Sequence, residues 1–105
     1  FQRDLRARGL SQRVLTMTFS EFGRRVKENG SQGTDHGAAA PMFVLGDRAR
    51  VGIHGGVPNL GDLDDGDVRH TTDFRDVYAT LLERWLDVRH EAVLGRACRV
   101  MDLVV

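Results

Sequence analysis

The stretch Val14-Leu15-Thr16-Met17-Thr18-Phe19, running into Ser20-Glu21-Phe22-Gly23-Arg24-Arg25, decides how the chain is read. Its first six residues are β-prone and carry apolar or methyl-bearing side chains at every position. A strand with one wet face alternates apolar and polar, whereas a strand covered on both faces does not. The run is therefore expected to be an interior strand of a sheet flanked by helices. Upstream, Phe1 and Leu5 share a helical face, and Gly9 follows where a left-handed helix cap is needed. Helix, short turn and buried strand is the repeating unit of an α/β protein, which is the fold class expected here.

Downstream, the residues from Glu21 to Ala40 are rich in glycine and small polar side chains and read as one long loop. Loops of that length are usually functional or disordered. Pro41-Met42-Phe43-Val44-Leu45 reads as a second strand, and the segment from Val51 to Asp67 as another loop. Its acidic part, Gly61 to Asp67, lacks the closing glutamate of a calcium-binding hand and reads as a solvated loop. From Thr72 to Asp87 the spacing predicts a helix with one apolar stripe, including Val77, Leu81 and Trp85 and capped by Thr71 or Thr72. The tail from Val100 to Val105 is compatible with a final strand. That long helix needs a broad apolar partner, because each large side chain gains roughly 1.5–3 kcal/mol on full burial. Two short strands offer little cover, so residues 1–105 are expected to form a single partial domain of a larger sheet.

The totals narrow the class. Fifteen basic residues balance fifteen acidic ones, which argues against a nucleic-acid partner. Cys98 is the single cysteine, so no internal disulfide can form. No apolar run reaches the roughly 18 residues of a membrane span, and the start carries no signal-peptide pattern.

Polar residues just past a buried strand are a default active-site location in open α/β sheets. Glu21 and Arg24 stand there. They serve equally well as a turn cap and a surface ion-pair partner. Asp35-His36 offers a carboxylate and an imidazole, a normal ligand set for zinc, manganese or iron. Neighbours on a strand point opposite ways, but Gly33 and Gly37 would let a loop converge them. Alternatively Asp35 stabilises a turn and His36 is merely exposed. His54 and His70 could each add a ligand or contact an anion, or be ordinary surface histidines. His90 follows the helix and suits its negative end. No phosphate-binding loop, dinucleotide fingerprint or nucleophile elbow is present.

The ordered set Val14 to Arg25, Glu28-Asn29-Gly30, Gly33-Thr34-Asp35-His36-Gly37 and Thr71-Thr72-Asp73-Phe74-Arg75 resembles the bacterial family catalogued as domain of unknown function fifteen-oh-one. The resemblance runs from the opening helix through Trp85-Leu86. It implies that the chain is the C-terminal part of a longer, exported, periplasmic or secreted protein. It also implies an alkaline phosphatase/sulfatase-like sandwich with a mostly parallel sheet flanked by helices. On that comparison Glu21 matches an acidic metal ligand, and Phe22 stands where a ligand histidine would be. His36, partnered by Asp35, matches the ligand that arrives from the next loop, and Arg24 and His70 would contact substrate. The implied cofactor is a divalent metal such as zinc, manganese or calcium. The implied activity is hydrolysis of a small anionic phosphate or sulfate ester, with the nucleophile supplied by the remainder of the parent domain. Loss of the histidine at Phe22 supports a competing expectation, a non-catalytic binding or scaffold module for a partner such as a glycan.

Overall fold

The computed structural model describes residues 1–105, and by their contacts these divide into two compact units. The first unit comprises residues 1–17, 44–54 and 73–105, and the second comprises residues 18–43 and 55–72.

In the first unit, helix α1 (Gln2–Ala7) ends at Gly9, whose φ of 68° is the left-handed conformation that glycine tolerates best. Asp47 ties α1 down. It accepts from the Arg6 guanidinium and from Gln2 at 2.8 Å. Arg6 first, with Ser11 and Gln2 adding hydrogen bonds, holds the Asp47 carboxyl well below the usual carboxylate range. Strands β1 (Thr16–Met17) and β4 (Val44–Leu45) pair antiparallel, with Thr16 opposite Leu45.

Helix α2 (Phe74–Arg84) is the main element of this unit. Its cap is Asp73, one residue later than expected, and the carboxylate accepts the Arg75 N–H at 2.9 Å. The buried positions of α2 are Val77, Ala79 and Thr80 rather than the whole apolar stripe, and Phe74 is 53% exposed. A short helix α3 (His90–Leu94) follows and packs on α2. The last residues, 98–105, then run as an irregular strap with a bend at Asp102. Leu103 and Val104 are buried, Val104 bridges to Ala49, and Leu103 O accepts from Arg50 N at 2.8 Å.

The second unit is built from two antiparallel hairpins. Strand β2 (Gly23–Glu28) pairs with β3 (Thr34–Gly37), with Gly23 opposite Gly37 and Arg24 opposite His36. Asn29 makes the turn, its side-chain oxygen accepting from Ser31 N at 3.0 Å and Gly33 N at 3.1 Å. Strands β5 (Leu63–Asp64) and β6 (Asp67–Val68) flank the two-residue turn Asp65-Gly66. Both turn residues have positive φ, 48° and 84°, as a tight hairpin turn of this hand demands. The Arg25 guanidinium donates to Asp65 O, and Asp67 accepts from Ala38 N at 3.2 Å, which joins the hairpins.

The expected mostly parallel sheet flanked by helices is therefore overturned. The sheets are three two-stranded antiparallel pairs, accompanied by three short helices. The bilateral apolar pattern of residues 14–19 misled because only Thr16 and Met17 enter a ladder, and Phe19 stays 74% exposed. The expected covering on both faces is absent too, since Thr16, Thr18 and Phe19 are all exposed. The expected long loop from Glu21 to Ala40 is mostly a hairpin, and the acidic segment is a second one. No helix is long and apolar enough to cross a membrane.

Candidate functional site

Four of the residues singled out in sequence, Glu21, Arg24, Asp35 and His36, lie at or beside the β2–β3 hairpin. Ser20 sets its entry, donating from its hydroxyl to Phe22 O at 2.8 Å. Gly23 and Gly37 then face each other across the two strands, and neither has room for a side chain. A Cβ at Gly37 would lie 2.8 Å from the Arg24 carbonyl carbon, and one at Gly23 would collide with the Ala39 carbonyl. These bare positions bring backbone close on both strands and put Phe22, Arg24 and His36 beside one another.

The Phe22 and His36 rings stack with centroids 3.5 Å apart and planes 10° from parallel. The Arg24 guanidinium carbon sits 5.3 Å from the centre of the same phenyl ring, within range of a cation–π contact. One Arg24 nitrogen donates to Thr34 O at 2.6 Å, which orients the guanidinium. Arg24 and His36 are both exposed. The arrangement offers a fixed positive charge and an imidazole on an aromatic support, a chemistry suited to holding an anionic oxygen.

Asp35 has a different setting. It is the strand neighbour of His36, so the two side chains alternate across β3 instead of converging in a loop. Asn29 donates to its carboxylate at 3.0 Å. Glu21 is exposed in the bend before β2, and His70 is exposed two residues beyond β6. His54, in the first unit, donates from Nε2 to Arg50 O at 3.0 Å.

The trio of acids and histidine whose ligand atoms do come together lies elsewhere. Glu83, His90 and Glu91 place one ligand atom each within 4.8 Å of the others. His90 is 5% exposed, and Glu83 Oε1 lies 2.5 Å from its Nδ1. Its Nε2 accepts the Cys98 N–H at 3.0 Å. Both ring nitrogens are thus engaged by protein, and a metal on either would break one of these bonds. As it stands, the group is tied together by hydrogen bonds within the protein. The expectation that His90 merely suited the end of the long helix did not include Glu83, seven residues upstream and on the helix itself.

The chain matches, over residues 1–102, the family described as Protein of unknown function (DUF1501). No curated protein and no solved structure shows significant similarity to it.

Proposed function

Because the chain belongs to the DUF1501 family of proteins of unknown function, whose description assigns no activity, we propose from the hairpin geometry that β2–β3 is an anion-binding surface. Arg24 is its charged contact, and His36 flanks the anion. The natural ligand class is a phosphate or sulfate group, free or as a small ester or glycan substituent. The observation that carries the reading is the support of both Arg24 and His36 by one phenyl ring, Phe22, with Arg24 further oriented by Thr34 O. An oriented guanidinium loses less side-chain freedom on binding than a free one. A charge-assisted hydrogen bond contributes roughly 1.5–3 kcal/mol.

Titration with inorganic phosphate and inorganic sulfate, followed by amide NMR shifts, tests the proposal. Shifts should concentrate on residues 22–25 and 34–37. Arg24→Ala should weaken binding about ten-fold or more, since a factor of ten corresponds to about 1.4 kcal/mol. Shifts that are spread over the surface and unaffected by Arg24→Ala would end the proposal.

A second reading is metal-dependent ester hydrolysis in an exported protein, with Glu21, Asp35 and His36 as ligands. It is favoured by the exposure of all three side chains, which leaves their ligand atoms reachable. The alternation of Asp35 and His36 across β3 favours the binding role over it. Elemental analysis of the purified protein distinguishes the two. Stoichiometric metal lost in a Glu21→Ala, His36→Ala double variant supports hydrolysis, and no metal supports simple anion binding.

A further inference from the structure

We propose that residues 98–101 form an acid-released strap, with His90 as its latch. The strap is held to the helices by side chains that accept its backbone N–H groups. Cys98 N–H donates to His90 Nε2 at 3.0 Å, Arg99 N–H to Asp76 Oδ1 at 2.9 Å, and Met101 N–H to Thr80 Oγ1 at 2.8 Å. Asp76 and Thr80 are one helical turn apart on α2, and the Thr80 hydroxyl in turn donates to Asp76 O at 2.6 Å. Beyond Met101 the chain is held separately, by Leu103 O to Arg50 N and by Val105 N to Arg48 O.

Of these acceptors only His90 loses its acceptor atom outright on taking up a proton, since a protonated carboxyl keeps a carbonyl oxygen that still accepts. An ionised carboxylate can only accept, and a backbone N–H can only donate. The partners of His90 therefore fix it as a neutral ring with its proton on Nδ1, donated to Glu83. Protonation at Nε2 would point two N–H groups at each other across the Cys98 contact. An alternative partner is already in place, because Glu91 Oε1 lies 3.7 Å from Nε2. Glu83 from α2 and Glu91 from α3 are the carboxylates that face the ring. The remaining charges nearby are on exposed Arg96, just before the strap, and exposed Arg99 within it, and the Arg99 guanidinium is 3.7 Å from Asp76. Acid thus exchanges the Cys98 bond for the Glu91 bond. The bond to the strap is present while Nε2 is unprotonated and is lost when Nε2 takes up a proton. Release frees the strap from Cys98 towards Met101 and bares the Asp76–Thr80 acceptors, while the Leu103–Val105 end stays docked.

NMR of the whole chain between about pH 8 and about pH 5 tests this, the range over which histidine ordinarily changes charge. At the upper end, long-range nitrogen–proton correlations should show the His90 proton on Nδ1. Exchange of the Cys98 amide, corrected for its intrinsic rate, should accelerate about ten-fold or more in step with His90 titration, as expected for local opening. Glu91→Ala should leave the protection at high pH unchanged and move release to lower pH, because the protonated ring loses its second partner. Three results would each overturn the proposal. One is a proton on Nε2 at neutral pH. Another is Cys98 protection that is constant while His90 titrates. The third is a release that follows carboxylate titration instead, which would make Asp76 the responsive group.

Discussion

His36 and His90 are the centres of two regions built on opposite terms. His36 stands on an open hairpin, exposed, and its ring is supported by stacking on Phe22. His90 is buried between α2, α3 and the C-terminal strap, with a protein partner on each nitrogen. An exposed, supported ring can meet a ligand from solvent. A ring bonded at both nitrogens has its polar atoms already engaged within the fold. The contrast explains why the anion surface is assigned to the hairpin although the closer grouping of potential metal ligands is at His90.

The comparison breaks most readily at the hairpin's two bare positions. Gly23→Ala places a methyl group onto the Ala39 carbonyl, backbone against backbone, so no flexible side chain can yield. The expected cost is about 3 kcal/mol, the upper part of the usual range for overpacking. Chemical denaturation should report it, and loss of the β2–β3 amide pattern should accompany it. A stable variant with an intact hairpin would mean that the close approach is not required to bring Arg24 and His36 together.

Next in size is the removal of one acceptor beneath the strap. Thr80 is fully buried, so Thr80→Val leaves the Met101 N–H without its partner at little change in shape. A buried donor left unsatisfied costs about 1–3 kcal/mol. Unfolding should show a loss of about 2 kcal/mol, with Met101 amide protection falling more than that of β2 and β3. An equal fall in both places would show that the two regions are not energetically separable.

Acid sharpens the same contrast through carboxylates. Arg75 holds the Asp73 carboxyl well below its usual range, chiefly through the side-chain hydrogen bond, and Arg6 does the same for Asp47. A carboxyl depressed in the folded state stabilises it above the unfolded value of about 4. That contribution is lost as pH falls towards the lower folded value. Asp73→Asn keeps a capping oxygen but removes the titration. Its melting temperature should therefore fall less steeply below about pH 4 than that of the unaltered chain. Thermal melts at several acidic pH values check this. Identical slopes would show that the depressed ionisation contributes nothing measurable. This response is read from the melting temperature and the strap's from the Cys98 amide, so the two are separable.

Much of the local structure was legible because it rests on local rules. The long helix was expected over residues 72–87 from its spacing and is found at Phe74–Arg84. The turn at Asn29-Gly30 and the Asp65-Gly66 hairpin were written in side chains that favour such turns, yet the surrounding glycines made both segments read as loops. Neither the covering nor the direction of the strand was legible from Val14 to Phe19, because an apolar composition does not say whether another element packs on it, and Thr16, Thr18 and Phe19 stay exposed. Nor was the Glu83–His90–Cys98 group, because its partners sit seven and eight residues away across two helices and the strap. An apolar-stripe reading of α2 also passes over Thr80, whose burial depends on giving its hydroxyl to one backbone and accepting from another.

The smallest effect tests the support of the exposed histidine directly. Phe22 contacts both His36 and Arg24, so Phe22→Leu retains an apolar side chain and removes the π-face. Aromatic pairs contribute about 0.5–1.5 kcal/mol beyond burial, and Phe22 is only half-buried, so the stability loss should be about 0.5 kcal/mol, the low end of that range. The informative readout is elsewhere. If stacking orders His36, its ring signals should broaden or average on substitution, and phosphate binding should weaken less than on Arg24→Ala. His90 signals in the other region should not change. Unaltered His36 order with unaltered anion binding would show that the phenyl ring is a bystander. Arg24 would then be oriented by Thr34 O alone, and the hairpin would need only its strand register to present a charge.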